Sequence, residues 1–107
     1  MWVFTVDGFF SAVQSRQDDN VLTIRARFKK DLEAIREELG ADKVHSSEYT
    51  DYPHRVFTTH EAWAKYLERR AKGIDYVNFK DHVLKSSEPE RGNRYHAVWA
   101  AMAGFYG

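Results

Sequence analysis

The chain has no cysteine among its 107 residues. That excludes disulfide scaffolds, thiol catalysis and cysteine-based zinc sites, and it fits a reducing cytoplasm, the expected location. Its six glycines all stand apart from one another, so neither a P-loop nor a dinucleotide fingerprint is present. No GxSxG nucleophile elbow occurs either. An excess of charge of one sign is also missing, because sixteen basic residues balance sixteen acidic ones. Proteins that hold nucleic acid mainly through its phosphates carry a basic surplus, so a nucleic-acid partner is disfavoured unless a local basic patch exists. No apolar run approaches the roughly 20 residues that span a bilayer, and no membrane partner is expected. The histidines, at 45, 54, 60, 82 and 96, show no HExxH or other metal spacing. No metal and no cofactor is expected.

What the chain does have is aromatic side chains, 15% of its residues, within 43% hydrophobic and 30% charged. Such a composition folds as a globule, and the length suits a single α+β domain over 1–107. Aromatics in this number exceed what one small core needs, so some are expected at a surface or interface.

The opening "MWVFTVDGFFSAVQSR" lacks the positive start and unbroken apolar stretch of a secretory signal. Asp7-Gly8 is a two-residue hairpin signal between strands at Met1–Val6 and Phe9–Ser15. That turn sets Val6, Phe4 and Trp2 opposite Phe9, Ser11 and Val13 on one face, with Thr5 and Val3 opposite Phe10 and Ala12 on the other. A helix layer is expected over one face. The apolar surplus at Val3, Thr5 and Phe10 marks the other as a candidate partner or dimer surface.

"VLTIRARF" alternates cleanly, Leu22, Ile24, Ala26 and Phe28 against Val21, Thr23, Arg25 and Arg27. "KKDLEAIREELG" then runs at helical period to Gly40, a C-terminal stop. "ADKVHSSEYTDYP" reads as a loop longer than most connections, and "HRVFTT" as a short fourth strand. Thr58 and Glu61 match a capping box opening a helix that stops at Gly73. Asn78 is an N-cap for a short helix. Ser87 and Pro89 suit the start of a last one, weakened early by Gly92. The predicted fold is α+β, in two layers: an antiparallel β-meander of three strands plus a short fourth, packed against three to four helices.

Three groups carry candidate chemistry. Arg25 and Arg27 project from one strand face, where bidentate guanidiniums suit a phosphate or carboxylate. A solvated face, or salt bridges to the acidic helix, accounts for the same pattern. "TDYPHR" and "IDYVNFK" each set Asp-Tyr beside a cation, giving Asp51, Tyr52 and Arg55, and Asp75, Tyr76, Asn78 and Lys80. Turn capping and core plugging are the bland alternatives. "RGNRYH" places Arg91, Arg94 and Tyr95 near a helix N-terminus, where cations oppose the macrodipole and call for a nearby acid or an anionic partner.

Taken in order, "MWVFTVDGFFSAVQ", "IRARFKKDLEAI", "TDYPHRVFTT", "IDYVNFKDHV" and "RYHAVW" resemble a family of short, uncharacterised bacterial and phage-associated proteins of about this length. The resemblance covers most of the chain. It implies a cytosolic bacterial or phage setting and supplies no catalytic residues.

The leading expectation is a non-enzymatic binding or interaction module, or a regulator, that meets a protein partner or a second copy of itself. The second is nucleic-acid or nucleotide binding through a local site, with cations from Arg25, Arg27, Arg55, Arg91 and Arg94 and stacking faces from Tyr52, Tyr76 and Tyr95. The third is a small hydrolase or transferase using Asp51, His54 or His96 with tyrosines as acid–base groups.

Overall fold

The structure is a computed structural model that describes residues 1–48, 50–86 and 88–105. It is α+β, a five-stranded antiparallel sheet with four helices. In chain order the elements are β1 (Trp2–Thr5), β2 (Gly8–Gln14), β3 (Val21–Ala26), α1 (Lys29–Ile35), β4 (His45–Ser46), β5 (His54–Thr59), α2 (His60–Lys72), α3 (Phe79–Leu84) and α4 (Pro89–Met102). The chain forms two compact units, Met1–Gly73 and Ile74–Gly107.

In the first unit the strand order is β1-β2-β3-β5-β4, every neighbouring pair antiparallel. The strand β4 was not expected: two residues of the long loop pair with β5, His45 opposite Arg55 and Ser46 opposite His54. A segment this short carries no alternation to read, and its pairing is supplied by the exposed edge of β5.

The core lies on one side of the sheet. Phe10, Ala12, Leu22, Ile24, Ala26 and Val56 from the strands meet Leu32, Ile35 and Leu39 around α1 and Trp63 and Tyr66 of α2. Phe10 stands edge-on to both Trp63 and Tyr66, at 6.3 Å between ring centroids in each case. Edge-to-face contact at that range adds to the gain from burying the rings.

The first hairpin departs from its expected geometry by two residues. Val6 and Asp7 form the turn, and Thr5 pairs with Gly8, Phe4 with Phe9 and Trp2 with Ser11. Two side-chain contacts account for the shift. Gly8 sits at φ +156, and a Cβ there would lie 2.6 Å from Asp31 Oδ2 and 2.9 Å from Asp31 Cβ, so only glycine lets α1 approach. Asp7 meanwhile accepts hydrogen bonds from Tyr66 Oη at 2.7 Å and Arg70 Nε at 2.6 Å. A shift of two keeps the division of side chains between faces, because strand periodicity is two. The covered face is nevertheless the reverse of the one expected. Val3, Thr5, Phe10 and Ala12 look into the core, and Trp2, Phe4, Phe9, Ser11 and Val13 look outward.

Tyr66 is wholly buried and is the hub of this corner. Its single proton goes to Asp7, so the Thr5 hydroxyl, 2.9 Å away, donates to the phenol oxygen while accepting from the Asp7 backbone N–H. Burial pushes the Tyr66 hydroxyl well above its ordinary range, and the bond to Asp7 pushes it further up. Arg70 continues the chain to Glu38 at 2.8 Å, and Arg69 reaches the same carboxylate at 2.5 Å. Burial alone pulls the Arg70 guanidinium down, but its bonds to Asp7 and Glu38 outweigh that and hold it firmly protonated.

The helix caps also differ in detail. Thr59, not Thr58, caps α2 by accepting from the Ala62 N–H at 3.1 Å. Thr58 faces inward and donates to the Leu39 carbonyl at 2.6 Å. In the second unit Asn78 caps α3 as expected, accepting from the Asp81 N–H. The expected Ser87 cap lies outside the described residues, and Glu88 occupies the N-cap position of α4. Gly92 is no weak point. A Cβ there would lie 2.9 Å from Leu84 Cα, so the glycine is what allows α3 and α4 to pack closely. Among the described residues no helix is long and apolar enough to cross a membrane.

Candidate ligand-binding face

Within the first unit the helices lie on the core side, and the outward face of the sheet carries a mixed row of side chains. Register builds that row. Trp2 pairs with Ser11, Ser11 with Arg25, Arg25 with Arg55, and Arg55 with His45. Partners in register project to the same side, so five strands each contribute one residue to a single line across the sheet. One row away lie Phe4 and Phe9, with Tyr52 above. On the other side lie Val13, Thr23 and Phe57.

The two arginines are the centre of this line. Arg25 Nη2 donates to Ser11 Oγ at 2.8 Å, and its guanidinium carbon lies 4.7 Å from the centroid of the Tyr52 ring. Its Nε is buried and has no hydrogen-bond partner among the described residues. An unmet buried donor on a charged group costs on the order of 1–3 kcal/mol. Arg55 stands directly opposite, and like charges facing each other across strands destabilise the pair. No carboxylate among the described residues pairs with Arg25, Arg27 or Arg55, whereas Arg36, Arg69, Arg70 and Arg94 each have an acid in reach. Of the two plainer accounts of Arg25 and Arg27, salt bridges to the acidic helix are therefore not formed among the described residues. Arg27 instead donates to the Asp51 backbone carbonyl, tying the loop before β5 to the end of β3.

The aromatic rings are arranged around these cations. Phe4 and Phe9 stack at 4.6 Å, Trp2 meets Phe9 edge-on at 5.8 Å, and Phe9 lies 6.3 Å from Tyr52. His45 lies 5.2 Å from Phe57. Trp2 is 69% exposed and Phe57 43%. Large rings left this open on a sheet face are unusual unless something covers them.

The sequence candidates thus fall into two groups, one in each unit. Arg25, Arg27, Asp51, Tyr52 and Arg55 gather on the outward face of the sheet. Ser11, Trp2, Phe9, Phe57 and His45 join them and were missed. Their signal was alternation: Trp2 and Ser11 are in register with Arg25, and Phe9 and Phe57 lie one row to either side on the same face. His45 carried no such signal, because its strand is two residues long.

In the second unit two of the candidates, Lys80 and Tyr95, link α3 to α4. Tyr76 stacks on His82 at 4.6 Å, Phe79 stacks on Tyr95 at 5.7 Å, and Lys80 Nζ lies 5.2 Å from the Trp99 ring. Asn78 is spent on its cap, Arg94 pairs with Glu90 at 3.4 Å, Arg91 is half-buried and Asp75 is exposed. Of the acid–base set, His54 accepts from or donates to Ser46 Oγ at 2.8 Å, Asp51 is exposed, and His96 belongs to the second unit beside Trp99. Among the described residues no group of three or more His, Asp or Glu side chains gathers to hold a metal ion.

Within the first unit, the fold and site define an antiparallel sheet whose outward face presents cations among aromatic rings. Compared with family models, curated proteins and solved structures, the chain finds no match.

Proposed function

We propose that this protein is a non-enzymatic binding module that recognises an anionic partner on the outward face of its sheet. The observation that carries the reading is the Arg25–Arg55 pair: two guanidiniums in direct register, neither paired with an acid, one with a buried donor unmet. This arrangement lowers the stability of the free protein. A bound carboxylate or phosphate relieves the repulsion, because guanidinium forks fit such groups bidentately. A bacterial or phage setting, and a regulatory role there, belong to the same proposal.

Substituting Arg55→Glu tests it, since the variant gains an opposite-charge partner for Arg25 while losing the receptor. The expected result is a protein that folds as well or better and is no longer retained on an anionic resin at low salt. Equal retention of variant and native chain overturns the reading.

A further inference from the structure

Building on that binding-face reading, we infer that the anionic partner is a single-stranded nucleic acid, with a phosphate gripped between Arg25 and Arg55 and bases laid on the flanking rings. Register puts the two arginine Cα atoms about 4.5–5.5 Å apart, close enough for both guanidiniums to reach one phosphate. The row from Trp2 to His45 crosses five strands spaced ~4.8 Å apart, giving a track of ~19 Å, room for several nucleotides rather than one. Aromatic rings lie on both sides of the cations: Trp2 with Phe4 and Phe9 towards one edge, Phe57 with His45 towards the other. Every base has a flat face, so such rings take bases with little regard to sequence. An acidic peptide satisfies the arginines but leaves Trp2 and Phe57 without planar partners. A double helix keeps its bases inside and offers these rings nothing.

The zero net charge of the chain shapes the expected behaviour. Attraction arises from one local row and not from a general basic surface. One phosphate neutralised on a single strand gives a slope of about −0.7 in log affinity against log salt, hence a loss of about 2.6-fold between roughly 50 and 200 mM.

The test is fluorescence anisotropy with labelled oligothymidylate and oligouridylate of about twelve nucleotides, within the range of single-strand site sizes. Linear polyphosphate and polyglutamate serve as unlabelled competitors and, labelled, as ligands in their own right. Two variants accompany the native chain. Trp2→Ala changes an exposed edge residue, and Arg55→Gln removes a like-charge contact, so neither threatens the core. The proposal expects oligonucleotide binding with the shallow salt dependence above. It expects at least about a fivefold loss in Trp2→Ala, the lower end for one stacked base, and a flatter salt slope in Arg55→Gln. If polyphosphate competes as well as unlabelled oligonucleotide and Trp2→Ala binds unchanged, the nucleic-acid inference falls while the anion-binding reading stands. Binding of polyglutamate alone has the same consequence. If none of these polyanions binds, both fall together.

Discussion

Replacing Tyr66 with phenylalanine isolates the hydroxyl at the hub of the hairpin corner. The ring stays in place against Phe10 and Trp63, so the apolar packing is preserved. What is lost is the bond donated to Asp7 at 2.7 Å and the bond accepted from Thr5 at 2.9 Å. A hydrogen bond to a charged acceptor contributes about 1.5–3 kcal/mol and a neutral one about 0.5–1.5 kcal/mol. Asp7 keeps Arg70 at 2.6 Å, so its carboxylate is not abandoned, and the lower half of the range applies. The expected loss is about 2–3 kcal/mol at pH 7, a fall in Tm on the order of 10 °C for a chain of this size.

The same substitution has a signature in alkali. Tyr66 stays protonated in the folded state far above the ordinary value, whereas in the unfolded chain it ionises near pH 10. Above that pH the unfolded state binds fewer protons than the folded one, so native stability falls with rising pH. The stability that Tyr66 confers is complete below pH ~10 and declines above it, with a limiting slope of about 1.4 kcal/mol per pH unit. Tyr66→Phe has no such group, and every other titration is common to both proteins. Urea unfolding at pH 7, 9, 10 and 11 should therefore give a difference in stability that is constant up to pH 9 and narrows beyond 10. A difference that does not change between pH 9 and 11 refutes the assignment of Tyr66 as a buried neutral donor, and equal stability at pH 7 refutes the hub.

Other outcomes follow from the same contacts. Gly8→Ala forces a Cβ into the Asp31 side chain at a backbone angle that alanine rarely adopts, so stability should fall by about 1–3 kcal/mol, read as a lower urea midpoint. An unchanged midpoint removes the close-approach argument. Thr59→Ala deletes the α2 cap and should cost ~1 kcal/mol, with Thr59→Ser close to native; a full loss in the serine variant points away from capping. Arg55→Glu should raise thermal stability by up to about 1 kcal/mol while binding is lost, a combination that a purely structural arginine does not produce.

The outcome differs from element to element. The alternation of "VLTIRARF" correctly placed Leu22, Ile24 and Ala26 in the core and set Arg25 and Arg27 opposite them. The Asn78 cap and the stop at Gly73 are also local features, and local features survive into the fold. The hairpin turn did not, because Asp7 and Gly8 are each used by a residue distant in sequence: Arg70 and Tyr66 for one, Asp31 for the other. Thr58 and Thr59 exchange roles for a similar reason, the Leu39 carbonyl claiming one hydroxyl and leaving the other to cap. For the candidate site, Arg25, Arg27, Tyr52 and Arg55 were legible as residues but not as neighbours.

By itself the sequence determined the class of fold, the period of each long element and the two faces of each strand. These depend on alternation and capping, which act over a few residues. Only the tertiary structure decided which face of the sheet the helices cover. Both faces of the first hairpin are apolar, so hydrophobicity could not choose between them. The choice was made by α1 and α2, whose side chains reach Gly8, Thr5 and Asp7 from one side alone. That choice leaves Trp2, Phe57 and the arginine pair facing outward together.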